Sequence, residues 1–327
     1  MSKTIKLIVS ILLIAAMITL LFGCNSKETV LIYTSAEDYS IENLQKRLDA
    51  QFPEYNIIVE YLPTGNHAAK LSAEGTSTEC DIIFNLEYSY LEKLAAGGVL
   101  ADLSEYDRSV YLEDTVVSDN YIIESRNGGG IIINTQVLAQ KGLPVPTSYK
   151  DLLKPEYKGL ISMPNPKSSG TGYMFLKSLV NAWGEDAAFS YFDSLSENVL
   201  QYTSSGSGPV NALVQGEVAI GLGMTSQAAL QITAGAPLKI VFFEEGAPYS
   251  LYGQSIVKGK ETKEAVKRVF DYMVSTYSYE NNEKFVPEKI FKDIDCSLPN
   301  YPTNITYSDM SNDTIAEKER LLAKWRY

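Results

Sequence analysis

The sequence predicts a two-lobed α/β protein, with parallel sheets flanked by helices and a cleft between the lobes. Three observations carry that prediction. Short apolar strands alternate with helical patterns along the chain. The loops from strand to helix are dense in Ser, Thr and Gly. At 327 residues the chain is also longer than the roughly 100–200 residues that one core usually organises.

The first 23 residues stand apart. Lys3 and Lys6 give a positive start, residues 7–22 are almost unbroken apolar sequence, and Gly23 precedes Cys24. This reads as an export signal over 1–23, its apolar run shorter than the roughly 20 residues of a spanning helix. Cys24 is the expected lipidated first residue of the mature chain, resembling the bacterial lipobox, so the protein is expected on the outer face of the cell membrane. An uncleaved anchor helix is the blander alternative, and both tether the remainder outside.

Lobe 1 is expected to begin with 24–127. Residues 30–34 read as a buried strand and 35–38 as a turn, while Ile41, Leu44, Leu48 and Phe52 recur at helical spacing. The same grammar gives a strand at 57–61, a loop at 63–66, a helix at 67–73, a strand at 81–84 and a helix at 90–96. Lobe 2 is expected over 128–243, with strands at 131–134 and 160–163 and a helix running to Trp183. It continues with a strand at 199–203, a helix at 209–215, a strand at 218–222, a helix at 226–234 and a strand at 239–243. Residues 244–327 should return to lobe 1, with an amphipathic helix at 262–276, irregular sequence, and a last helix at 314–325. No flexible linker interrupts this order, so the strands themselves should cross between lobes.

Composition narrows the partners. Forty acidic residues against 28 basic ones give a net charge of −12, which disfavours nucleic acid and anionic lipid headgroups. The 22 tyrosines suit a large core and a cavity walled by rings with a polar tip. Beyond Cys24 only Cys80 and Cys296 remain; an outside location permits a disulfide, though two isolated thiols are the commoner outcome. No metal-ligand spacing and no cofactor motif occurs, and no nucleophile elbow; a nucleophile would have to share the single His67. We therefore expect a binder and not an enzyme, probed against a hydrolase by activity screening.

In an open α/β sheet, ligands bind beyond the carboxyl ends of strands. The loop Asn165-Pro-Lys-Ser-Ser-Gly-Thr-Gly172 offers Ser168, Ser169 and Thr171 hydroxyls, with Gly170 and Gly172 allowing backbone N–H groups to approach. It feeds a helix start, where unpaired N–H groups favour an anion. A second such loop, Thr203-Ser-Ser-Gly-Ser-Gly208, contributes Ser205, Gly206 and Ser207 ahead of Pro209. From lobe 1, Ser35 and Ala36 close the cleft, and His67, Asn85, Thr225 and Tyr252 complete the candidates. Ordinary helix capping explains either loop alone; their coincidence in one lobe points to binding. His67 has a simpler reading as a half-exposed helix-start side chain, and Glu37 and Asp38 as first-turn acids unless the ligand carries a cationic group.

The chain resembles the extracellular solute-binding proteins of ABC transporters, in the branch of ferric-ion, 2-aminoethylphosphonate and sugar-phosphate binders. The resemblance rests on Val30-Leu-Ile-Tyr-Thr-Ser35, Ala73-Glu-Gly75, Cys80-Asp-Ile-Ile83, the stretch 91–100, the stretch 164–175, Gly216-Glu-Val-Ala-Ile-Gly221 and 321–325. It implies a periplasmic-binding-protein fold of type II that closes around a solute, and a permease as partner. Iron binders of the branch carry adjacent tyrosines shortly after the segment matching Gly216 to Gly221, where Met224-Thr-Ser-Gln227 stands here, and Glu37 neighbours the place of an early histidine. Ferric binding is therefore disfavoured, and a phosphonate or phosphate ester such as 2-aminoethylphosphonate is expected on the two Ser/Gly loops of a monomeric protein. Thiamine or polyamine capture is the alternative within the class, and an adhesin or signalling module the alternative outside it.

Overall fold

The computed structural model describes residues 27–327 apart from 114, 287, 289 and 295–297. The export signal, the lipidation of Cys24 and the pairing of Cys80 with Cys296 lie outside the described residues. Cys80 itself is buried and its thiol donates to the Ile82 carbonyl at 3.1 Å.

Strand β1 (Thr29–Thr34) is followed by α1 (Asp38–Gln51), β2 (Asn56–Tyr61), α2 (Thr64–Glu74), β3 (Ile82–Glu87) and α3 (Tyr88–Ala96). β1 lies between β2 and β3, parallel to both, as short crossover helices require. The next strand, β4 (Ile122–Asn134), is 13 residues long and serves both halves of the molecule. After it come α4 (Thr135–Lys141), β5 (Ile161–Pro164), α5 (Gly170–Trp183), α6 (Glu185–Ser196), β6 (Val199–Thr203), α7 (Gly208–Gln215), β7 (Ile220–Met224), α8 (Thr225–Thr233) and β8 (Leu238–Val241). β5 pairs in parallel with β6 and β7. Strand β9 (Tyr249–Ile256) then leads to α9 (Glu264–Tyr272), α10 (Ser278–Phe285) and α11 (Ile315–Lys324).

The strand order is β2-β1-β3-β9-β4-β7-β5-β6, with β8 also on β4. The parallel pairs expected from sequence sit at both ends of that order, but the middle is antiparallel. β9 pairs with β3 and with residues 122–128 of β4, whereas residues 129–134 of β4 pair with β7 and β8. β4 and β9 thus run from one half into the other. One core gathers β1, β3, α1 and α9 around Ile32, Leu44, Phe84 and Phe270; a second gathers β5, α5 and α6 around Ile161, Phe175 and Phe192.

Two elements depart from expectation. The irregular stretch starts later than expected, after Phe285: a π-helical turn over Met273–Tyr277 carries the chain into α10, with the Ser278 hydroxyl bonded to the Met273 carbonyl at 2.9 Å. The last helix, expected with lobe 1, straddles both halves. Its Leu321 and Trp325 are buried in the second core, while its Lys318 pairs with Glu87 at the end of β3.

Candidate functional site

Between the halves lies a small, polar cavity that opens to solvent at its mouth. Strand ends and helix starts build it. From the first half come Ser35, Ala36 and Glu37 of the β1–α1 turn, Tyr39 and Ser40 in the first turn of α1, Tyr61 at the end of β2, Thr64 and Asn85. The second half supplies Ser169 and Thr171 at the start of α5, Ser204, Ser205 and Gly206 before α7, and Met224. Asn127 of β4 and Tyr252 of β9 come from the crossing strands, and Asn281 and Val286 from α10 and its end.

The two Ser/Gly loops converge. A Cβ on Gly206 would lie 2.4 Å from the Thr171 hydroxyl, so the loop before α7 rests against the first turn of α5. Ser169 caps α5 by accepting from the Gly172 N–H at 3.4 Å, whereas Ser207 makes no such side-chain cap at α7. The first turn of α5 and the loop leading into α7 therefore border one region, with neutral hydroxyls around it. Among the described residues no lysine, arginine or histidine lines this cavity, and Lys167 is exposed.

Eight of the fourteen expected ligand-binding residues line the cavity: Ser35, Ala36, Asn85, Ser169, Thr171, Ser205, Gly206 and Tyr252. The other six stand behind it. His67 is fully buried, with Nδ1 2.9 Å from the Ser35 Oγ and its ring edge-on to Tyr33, so it braces a wall residue. Burial pushes the His67 pKa down to about 3, which leaves its ring a poor proton acceptor for any serine chemistry. The Ser168 carbonyl accepts from the Gly65 N–H at 3.0 Å, tying the loop to α2. Gly170 makes room for the Tyr252 hydroxyl, and Gly172 for the backbone of 164–166. Ser207 borders an adjoining recess with Glu37, Asn211 and Gln227, and Thr225 is buried beside Gly130. Sequence reasoning did not single out Tyr39, Ser40, Tyr61, Thr64, Asn127, Ser204, Met224, Asn281 or Val286 as wall residues.

Contacts across the cleft hold the halves together. Glu37 faces Ser207, Tyr61 faces Ser205 and Tyr39 faces Ser226, each pair joining the two halves. Burial, then the neighbouring Glu37 charge, pushes Tyr61 up to about 12, and burial likewise raises Tyr39 and Tyr252, so these phenols keep their protons at neutral pH. Among the described residues no group of three His, Cys, Asp or Glu could hold a metal ion.

Behind the cavity, Asn85 adopts φ 53° where the β3–β9 register shifts, and its amide donates to Glu124 at 2.5 Å. Glu124 sits at the matching shift of β4 against β9. Burial pushes the carboxyls of Glu124 and Glu37 up to about 7, from an ordinary 4.5. A raised acid stabilises the fold fully below its unfolded value and loses that contribution as pH climbs through 7. The melting temperature should therefore rise as pH is lowered from 8 to 5, and Glu124→Gln should flatten the slope. An identical slope in the variant, followed by differential scanning fluorimetry, would remove Glu124 from this account.

Comparison with known proteins follows the geometry. Residues 79–281 match the family model described as bacterial extracellular solute-binding protein. An uncharacterized protein of Haemophilus influenzae is 32% identical over 279 residues, covering 83% of this chain and 80% of that protein. The periplasmic binding protein AfuA from Actinobacillus pleuropneumoniae, solved with exogenous fructose-6-phosphate bound, superposes with a TM-score of 0.81 at 27% identity, over 92% of this chain and 98% of that one. The phosphoglycerate transport regulatory protein PgtC of Salmonella typhimurium is 23% identical over 198 residues, 61% of this chain but only 46% of that protein. Among the described residues no helix is long and apolar enough to cross a membrane.

Proposed function

The chain belongs to the bacterial extracellular solute-binding proteins, and from that premise we propose that its cavity captures a small oxyanion-bearing solute, a phosphonate or phosphate ester, for an ABC transporter permease. One observation carries the reading: the first turn of α5, the loop leading into α7 and the hydroxyls of Ser169, Thr171, Ser204 and Ser205 border a single cavity. Oriented N–H and O–H dipoles hold an oxyanion without a cation, because the site is ordered before the guest arrives. The sugar phosphate held by the similar AfuA supports the same class. In this reading residues 24–127 and 244–327 form one lobe and 128–243 the other, with α11 crossing between them. A lipid on Cys24 tethers the monomer outside the cell, and the protein delivers its solute unchanged.

A solute bound to both lobes favours their closed arrangement, since only the closed state offers both sets of contacts. The test is a thermal-shift panel of phosphonates, phosphate esters, thiamine, polyamines and ferric salts. A true ligand at about 100 times its Kd stabilises by roughly 2.7 kcal/mol. Thr171→Val should then weaken the responding oxyanion by roughly tenfold or more, the scale of a hydrogen bond to a charged group. A panel in which only ferric salts respond would end the oxyanion reading. A second reading, a cationic solute such as thiamine or a polyamine, has Glu37 and the three cavity tyrosines in its favour.

A further inference from the structure

Asn85 lines the cavity, yet both hydrogens of its side-chain amide are committed behind it. Nδ2 donates to Glu124 Oε1 at 2.5 Å and to Ser125 Oγ at 3.3 Å, and the Ser125 hydroxyl donates to the same Oε1 at 2.7 Å. The amide is thereby fixed about its last torsion, and Oδ1 is the side-chain atom left to meet a guest. Its backbone needs holding too. With φ at 53°, Asn85 sits in the left-handed region, which costs energy for any residue with a side chain. The β3–β9 register shifts across this residue, so the sheet ladder does not keep it there.

Glu124 is an uneconomical choice for packing alone. It is fully buried, and its second oxygen, Oε2, has no hydrogen-bond partner among the described residues. The groups that face its carboxyl are Asn85 from β3, Ser125 beside it, Tyr111 from the segment before β4 and Tyr277 from the π-helical turn. None of them is a cation, and burial keeps both phenols protonated at neutral pH. From α10, the Asn282 amide reaches only the Glu124 backbone carbonyl, at 2.5 Å. A glutamine would give Asn85 and Ser125 the same acceptor without burying a charge. Only a carboxylate offers them charge-assisted bonds, about twice as strong as bonds to a neutral acceptor.

Building on the reading of the cavity as a solute site, we propose that Glu124 is a positioning residue for capture: when ionised, it holds the Asn85 amide so that Oδ1 is presented to the solute. Glu124 touches no solute and acts through Asn85. Protonation turns Oε1 into a neutral acceptor and loosens the amide. Stability and capture then respond to pH in opposite directions. Burial sets the Glu124 carboxyl at about 7, so raising the pH through 7 ionises it, which weakens the fold and tightens the grip on Asn85.

Two measurements test this. In the unliganded protein, the Asn85 side-chain amide is followed by heteronuclear NMR and assigned by its loss in Asn85→Gly, since glycine tolerates the positive φ. Its signal should shift with a midpoint near pH 7 and stay flat in Glu124→Gln. Calorimetric titration with fructose 6-phosphate at pH 8 should then give Glu124→Gln a Kd roughly three- to tenfold above that of the wild type, the gap between hydrogen bonds to charged and to neutral groups. At pH 5.5, where Glu124 holds its proton, the gap should close to within about twofold. Scanning fluorimetry at pH 8 should show the variant melting no lower than the wild type, whereas an acid with a purely structural role would lose affinity and melting temperature together. A wild-type amide signal that ignores pH, one that titrates equally in Glu124→Gln, or equal affinities at pH 8 would each overturn the role of Glu124. Fructose 6-phosphate binding to neither protein would count against the oxyanion reading alone, because the amide titration needs no ligand and still decides the role of Glu124.

Discussion

Replacing Gly65 with alanine should weaken solute capture by roughly 5–150-fold, the cost of about 1–3 kcal/mol for forcing an extra methyl into a packed contact. Gly65 lies in the first turn of α2, where its N–H donates to the Ser168 carbonyl of the facing half at 3.0 Å. A Cβ there would stand 2.2 Å from the Lys167 carbonyl oxygen and 3.3 Å from the Ser168 Cα. These are backbone atoms that cannot rotate aside, so the halves must separate. Alanine suits a helix better than glycine, so the open form loses nothing by the change. The penalty therefore falls on the closed form, and the solute has to overcome it to close the lobes. Calorimetric titration should show the higher Kd, and small-angle scattering should show the variant staying more expanded than the wild type at equal ligand. Unchanged affinity would mean that the contact between α2 and the 165–169 loop plays no part in capture.

The parts of the cavity legible in the sequence are those whose chemistry is local. Ser169, Thr171, Ser205 and Gly206 announce themselves because Ser/Gly density between an apolar strand and a helical pattern marks both a helix start and a ligand loop. Glu37 was visible first as a first-turn acid, with a second role only toward a cationic group on the ligand, since a carboxylate at a helix start looks the same whether it serves the dipole or a guest. Asn127, Asn281 and Val286 had no local signal. Asn127 reaches the cavity because β4 crosses between halves, and Asn281 because a π-helical turn extends α9 into α10. His67 misled for the opposite reason: a lone histidine beside Gly65 and Asn66 reads as cleft chemistry, yet its Ser35 bond and Tyr33 contact draw it inside. The strand alternation gave the parallel outer pairs but not the antiparallel middle, because pairing of β4 with β9 joins residues more than a hundred positions apart.

The largest stability effect is expected at Lys318, whose replacement by methionine should cost about 3–5 kcal/mol by leaving a buried carboxylate without its cation. Lys318 and Glu87 are each 1% exposed and form an ion pair. The Ser89 and Ser250 hydroxyls donate to Glu87 at 2.7 and 3.2 Å, and the ammonium sits 4.6 Å from the Tyr90 ring centroid and 4.3 Å from that of Tyr173. Neighbouring Asp313 has its pKa pushed up to about 6, by burial first and then by Glu87. Removing the cation that pairs with Glu87 and lies near Asp313 would leave two acids facing each other, at a point where α11, β3 and α5 meet. Tyr173 belongs to α5, whose first turn borders the cavity, and the remainder of α11 is anchored in the second core through Leu321 and Trp325. Losing Lys318 therefore loosens the helix that joins the halves as well as the pair itself. Because desolvating a pair offsets most of its attraction, removing both charges together is far gentler than removing one. Lys318→Met combined with Glu87→Gln should accordingly recover most of the urea midpoint lost by Lys318→Met alone. A single variant that unfolds within about 1 kcal/mol of wild type, the scale of an exposed ion pair, would show that Glu87 and Lys318 are not a desolvated pair and that α11 is held by its apolar residues.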